Sequence, residues 1–100
     1  MPELSDFQIV TEAQLTDQLA AQGLAVVERQ VKGESEVFIE GRVEDVRFWI
    51  YVDGACIIGR DVDRVFEKWD FDSPADLRTE FVGQLVRLVS PPGSTSPSAP

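Results

Sequence analysis

The chain contains no histidine, a single cysteine, and only nine basic residues against eighteen acidic ones in 100 positions. Each scarcity closes a class of function. Without imidazole, the side chain that most often serves as general base, proton shuttle or metal ligand near neutral pH is missing. With Cys56 alone, no disulfide forms within the chain and no cysteine-based zinc site assembles from it. A net charge of −9 repels phosphate backbones and anionic headgroups, so neither nucleic acid nor a membrane is expected as a direct partner, whereas a protein with a basic surface is. No apolar run approaches the roughly 20 residues of a membrane span. Met1 to Val10 holds Glu3 and Asp6 and no basic residue, unlike the positive start of a secretory signal, and a cytoplasmic location is expected.

What is present is the composition of an ordinary globular domain, with 43% hydrophobic and 27% charged residues. One hundred residues support one core and leave little room for a cleft between domains. The reading is a single α+β domain over 1–89 and a disordered tail over 90–100, where prolines, serines and a glycine offer nothing to bury.

Thr11 suggests a helix start, with Gln14 completing a capping box, Val10 and Leu15 a hydrophobic staple, and Gly23 ending the helix near Gln22. Three extended runs follow, Leu24 to Val31, Glu36 to Val43 and Asp45 to Val52, joined by connections too short for parallel crossovers. Asp53-Gly54 predicts a type I′ turn into a fourth strand, Ala55 to Arg60. Asp61 to Phe71 satisfies both helical and strand spacing and is read as a strand or irregular extension. Ser73 as N-cap, Pro74 at the first helical position and Asp76 announce a last helix with a wide apolar face from Leu77 to Val89. The order is α-β-β-β-β-α: an antiparallel sheet of three to five strands with both helices on one face.

Charge and alternation locate the candidate surfaces. Residues 1–23 hold four acids and no base and residues 61–80 seven acids and three bases, while 24–60 are nearly balanced. Asp61, Asp63, Glu67, Asp70 and Asp72 form a candidate acidic rim. If the segment were extended, Asp61/Asp63 and Asp70/Asp72 would stand about 6.5 to 7 Å apart, a spacing comparable to neighbouring phosphates. Strand alternation turns Val37, Ile39, Gly41 and Val43, with Val46, Phe48, Ile50 and Val52, beneath the helices. The opposite face then carries Phe38, Glu40, Arg42, Arg47, Trp49 and Tyr51, a mixture typical of interface cores. Trp49 and Tyr51 with Trp69 are the aromatic candidates for partner binding, and Arg42 and Arg47 the basic ones. Two bland readings stay open: a second minor core built by Phe66, Trp69 and Phe71 over this face, or a homodimer through it.

No catalytic residue, cofactor or metal site is expected. Asp61 and Asp63 begin like a calcium loop, but Val65 and Phe66 stand where a ligand and a glycine belong. Gly54 and Gly59 lie in a hairpin and not in a phosphate-binding strand-to-helix loop. Cys56, within Ala55-Cys56-Ile57-Ile58, reads as a small buried apolar residue.

Tyr51-Val52-Asp53-Gly54 followed by Phe66-Glu67-Lys68-Trp69-Asp70-Phe71-Asp72-Ser73-Pro74-Ala75-Asp76-Leu77 resembles small acidic bacterial proteins of the immunity type. The resemblance implies a non-catalytic inhibitor that masks a cationic toxin domain. Two further readings are an inhibitor that imitates DNA on a nucleic-acid enzyme, and an assembly or adaptor module using the aromatic sheet face.

Overall fold

The computed structural model describes residues 4–34 and 36–90, so the expected disordered tail, apart from Ser90, lies outside the described residues. Helix α1 (Asp6–Ala20) is followed by five strands, β1 (Val27–Lys32), β2 (Val37–Val43), β3 (Val46–Ile50), β4 (Ala55–Gly59) and β5 (Val62–Phe66). A 3₁₀ turn, Lys68–Asp70, and helix α2 (Pro74–Val89) complete the chain. The strands form one open antiparallel meander in the order β1-β2-β3-β4-β5. Asp61 to Phe71 thus divides into a fifth strand and the 3₁₀ turn.

Helix α1 starts six residues before the expected Thr11 cap. Ser5 and Gln8 form a capping box of their own: the Ser5 side chain accepts from the Gln8 N–H, and the Ser5 N–H donates to Gln8 Oε1 at 2.7 Å. Tertiary bonds select this box over the one at Thr11. Ser5 Oγ donates to the Val52 carbonyl at 3.0 Å, and Gln8 Nε2 donates to the carbonyls of Val37 and Ile50 at 2.7 and 3.2 Å. Thr11 is instead buried within the helix, where its hydroxyl accepts from Arg78 of α2 at 3.2 Å. The helix ends as the glycine signal required, with Gly23 at φ +77° and Leu24 N–H returning to the Leu19 carbonyl at 2.9 Å.

The turns correct a second expectation. Neither Asp53 nor Gly54 has positive φ, so the link from Ile50 to Ala55 is not a type I′ turn; Tyr51 N–H closes it by donating to the Gly54 carbonyl at 2.7 Å. Gly54 is needed for space, because a Cβ there would meet the Phe66 carbonyl oxygen at 2.8 Å. The left-handed pair occurs one hairpin later, at Arg60 (φ +51°) and Asp61 (φ +65°), between the paired Gly59 and Val62. Contacts of Arg60 offset the cost of that conformation: its guanidinium donates to the Leu88 carbonyl at 2.6 Å, Asp45 at 2.7 Å and Glu44 at 2.9 Å, tying two hairpins to the end of α2.

The core lies between the sheet and the helices. Val37, Ile39, Val43, Val46, Phe48 and Ile50 are buried beneath Phe7, Leu15, Leu19, Leu77, Phe81, Leu85 and Val89, as alternation predicts; Val52 is only half-buried. Phe81 meets Phe48 and Phe66 edge-on, at centroid distances of 6.1 and 5.6 Å. The expected α2 cap is present, with Ser73 accepting from the Asp76 N–H at 3.2 Å and Pro74 opening the helix.

Candidate functional site

Two surfaces collect the sequence-predicted residues. The first is the end of the sheet where β5 gives way to the 3₁₀ turn. Phe66 is buried in the core and Phe71 stacks on it at 6.4 Å, so both ends of the intervening segment are anchored inward. The tight turn between them, held by Asp70 N–H to the Glu67 carbonyl at 3.0 Å, directs Trp69 into solvent, where it is 72% exposed. A shallow cavity of about 300 Å³ beside it is lined by Tyr51, Val65 and Trp69, with Glu36, Asp53 and Glu67 among its rim residues. Lys68 is the nearby cation, and its ammonium is engaged by Asp53 at 3.0 Å. Asp70 and Asp72 flank the same turn in the chain. An exposed indole in so acidic a setting is suited to the guanidinium or ammonium of a partner.

The five acids of the expected rim do not form one cluster. Asp61 lies in the β4–β5 turn and Asp63 in β5, whereas Glu67, Asp70 and Asp72 lie beyond its other end, about 16 Å away over five residues of strand. Only Asp63 is in a strand, so the extended spacing proposed for Asp61/Asp63 and Asp70/Asp72 is not present. Among the described residues, no group of three or more acidic or thiol side chains is placed to hold a metal ion.

The second surface is the sheet face away from the helices. The register aligns Arg29, Glu40, Trp49, Cys56 and Val65 in one cross-strand row, and Val27, Arg42, Arg47, Ile58 and Asp63 in the next. A third row contains Val31 and Phe38, whose ring lies 5.5 Å from that of Tyr51. The expected minor core does not form: Phe66 and Phe71 pack on the helix side and Trp69 points outward, so no described segment covers Trp49 and Tyr51. Both are half-buried by their neighbours instead, with the Arg47 guanidinium 4.9 Å from the Trp49 ring centroid.

Electrostatics on this face are locally balanced. Glu40 pairs with Arg29 at 2.7 Å and more loosely with Arg47 at 3.8 Å. The Arg29 hydrogen bond, helped by Trp49 and the Arg47 charge, holds the Glu40 carboxyl below its ordinary range. Arg42 has no ion pair among the described residues. Cys56 is buried, as expected, beneath these aromatics; burial pushes its thiol up, away from the reactive thiolate, despite the 3.8 Å contact with the Tyr51 hydroxyl. Tyr51 is itself pushed up to about 12, chiefly by desolvation.

Sequence reasoning identified the Trp49/Tyr51 face but not its apolar extension through Ile58 and Val65, which are 44% and 58% exposed; Val27 of β1, 64% exposed, lies on the same face. Alternation marks Ile58 and Val65 once the register of the edge strands is known. It also missed the neighbouring carboxyls of Glu28 on β1 and Glu12 on α1, where partial burial and the nearby Glu12 push the Glu28 carboxyl up to about 7. No periodicity brings those two residues together.

No family model matches the chain, and no curated protein or solved structure matches it either. The fold defines a small α+β protein with an open five-stranded antiparallel sheet. No helix among the described residues is long and apolar enough to cross a membrane.

Proposed function

We propose that the protein is a non-catalytic acidic binding protein that engages a basic protein surface, acting as a toxin-neutralising inhibitor of the immunity type. The observation that carries this reading is the exposure of Trp69, at 72%, beside a cavity rimmed by carboxylates. Both of its neighbours in the turn and the aromatic pair that anchors it serve to present that indole, and core packing alone gives no reason to do so. A cationic side chain of the partner stacks on Trp69 while Glu67, Asp70 and Asp72 supply the field that steers encounter. Catalysis has no part in this reading: the thiol is buried and protonated, and the nearby tyrosine is held in its neutral form. A reducing cytoplasmic compartment suits the lone thiol.

The test is affinity capture from source-cell lysate with wild-type protein and Trp69→Ala as parallel baits, followed by measurement of direct binding to the purified partner. The expected result is a basic protein retained by the wild type and bound at least about tenfold more weakly by Trp69→Ala, the loss typical of a buried aromatic anchor. A partner bound equally by both baits removes Trp69 from the interface and overturns the proposal.

A further inference from the structure

We infer that the free edge of β1 is an association site for a second copy of this chain, the two β1 strands pairing antiparallel about a two-fold axis that passes through Gln30 perpendicular to the sheet. This goes beyond the binding reading above and rests on different residues.

The backbone comes first. Strand β1 ends the sheet, and all its residues except Val31 are exposed. Gly33 N–H donates to the Glu36 carbonyl at 2.8 Å and continues the β1–β2 register, so Val27, Arg29 and Val31 turn their N–H and C=O groups toward β2. Those of Glu28, Gln30 and Lys32 therefore point outward, away from the sheet.

The side chains decide what pairs with this edge. Glu28, Gln30 and Lys32 stand opposite Gly41, Ile39 and Val37 and share the helix-side face with them. Charged side chains on an edge strand ordinarily block pairing with another chain. Here the acid lies two positions before Gln30 and the base two positions after it. About an axis at Gln30, Glu28 of each copy lies directly opposite Lys32 of the other and Gln30 lies opposite Gln30, and all of these are hydrogen-bonded pairs. The Cβ atoms of such pairs are about 5 Å apart, within reach of an ion pair. Neighbouring registers lose the match: an axis at Arg29 sets Glu28 against Gln30, and one at Val31 sets Glu28 against Glu34. On the other edge strand, β5, Asp63 and Arg64 are adjacent and turned to opposite faces, so no such axis opposes them.

Local charge favours the same pairing. In a chain of net charge −9, β1 holds two bases and one acid. Lys32 makes no ion pair among the described residues. Glu28 and Glu12 of α1 line one cavity of about 320 Å³, and Arg29 is held on the other face by Glu40. Lys32 of the second copy brings to that acidic pair the cation it lacks. An edge pair of this length buries less than the roughly 1,200 Å² of a stable interface, so the association is weak and concentration-dependent.

Sedimentation velocity of the full chain from about 5 to 500 μM tests the inference, at about 150 mM salt, where charges beyond about 8 Å are screened. The wild type should move with concentration from the 11.1 kDa monomer toward twice that mass. Gln30→Pro, which an edge strand tolerates where the N–H faces solvent, should stay monomeric with unchanged circular dichroism. Glu28→Lys alone and Lys32→Glu alone should each weaken association by about tenfold or more, since each opposes like charges at both ends of the pair. An equimolar mixture of the two should associate as the wild type does, because the mixed pair restores opposite charges at both ends. Amide exchange should slow with concentration at Glu28, Gln30 and Lys32. A wild type that stays monomeric at the highest concentration overturns the inference. So does a dimer that survives Gln30→Pro, a pair of charge variants that the mixture does not rescue, or protection that appears on β5 instead. None of these outcomes depends on Trp69, so failure here and failure of the proposed partner contact are distinguishable.

Discussion

Gln8 shows how much one polar side chain contributes to this fold. It is fully buried, its Oε1 accepts the Ser5 N–H, and its Nε2 serves the carbonyls of Val37, the first residue of β2, and Ile50, the last of β3. The start of the helix and the adjacent ends of two inner strands are therefore tied by the same amide. Gln8→Leu keeps similar bulk but strands those carbonyls without a donor, at about 1–3 kcal/mol for a buried unsatisfied group. Urea unfolding should show a lower midpoint with an unchanged slope; an unchanged midpoint would mean that water replaces the amide at no cost. The role was not legible in the sequence, because Ser5-x-x-Gln8 and Thr11-x-x-Gln14 are both acceptable capping boxes. Only contacts 29, 42 and 47 residues away distinguish them.

At the scale of elements, local signals succeeded where the responsible atoms are close in sequence. Ser73, Pro74 and Asp76 placed the start of α2, Gly23 placed the end of α1, and alternation in β2 and β3 sorted the core face from the open one. The type I′ turn was misplaced because Asp53-Gly54 has the favoured composition, while Arg60-Asp61 adopts the geometry only with the help of Asp45, Glu44 and the Leu88 carbonyl. Edge strand β1 shows a long-range effect of another kind, the approach of Glu28 to Glu12 of α1. Although Glu28 remains solvent-accessible, partial burial of its carboxyl and then the nearby Glu12 carboxyl push it up to about 7. Arg29, on the same strand, is turned to the other face and paired with Glu40, so it does not relieve the acid pair. The folded state thus holds a proton that the unfolded chain releases near 4.5, and this contribution is complete below that pH and lost as pH rises through about 7. Glu40, held low, contributes in the opposite sense and only in a more acidic window. Between pH 5 and pH 8 the urea midpoint of the wild type should fall more than that of Glu28→Gln. Parallel pH profiles would show that the carboxyl pair does not titrate in the fold.

For the whole molecule, the organising fact is the separation of charge by surface. Helices cover one face of the sheet, the other exposes apolar and arginine side chains in register, and the end of β5 presents Trp69 among carboxylates. The acidic excess was legible from composition, and the open face from alternation. The outward aim of Trp69 was not, because it results from Phe66 and Phe71 being drawn into the same core on either side of it. The proposed function rests on that acidic end attracting a basic partner, and its most direct test is a rate. With the captured partner in hand, stopped-flow association at low salt should compare the wild type with Glu67→Lys/Asp70→Lys/Asp72→Lys. Reversing three charges in the encounter field should slow association by about tenfold or more and flatten its salt dependence. An association rate unchanged by the reversal would contradict the account, since the carboxylates around Trp69 would then have no part in finding the partner.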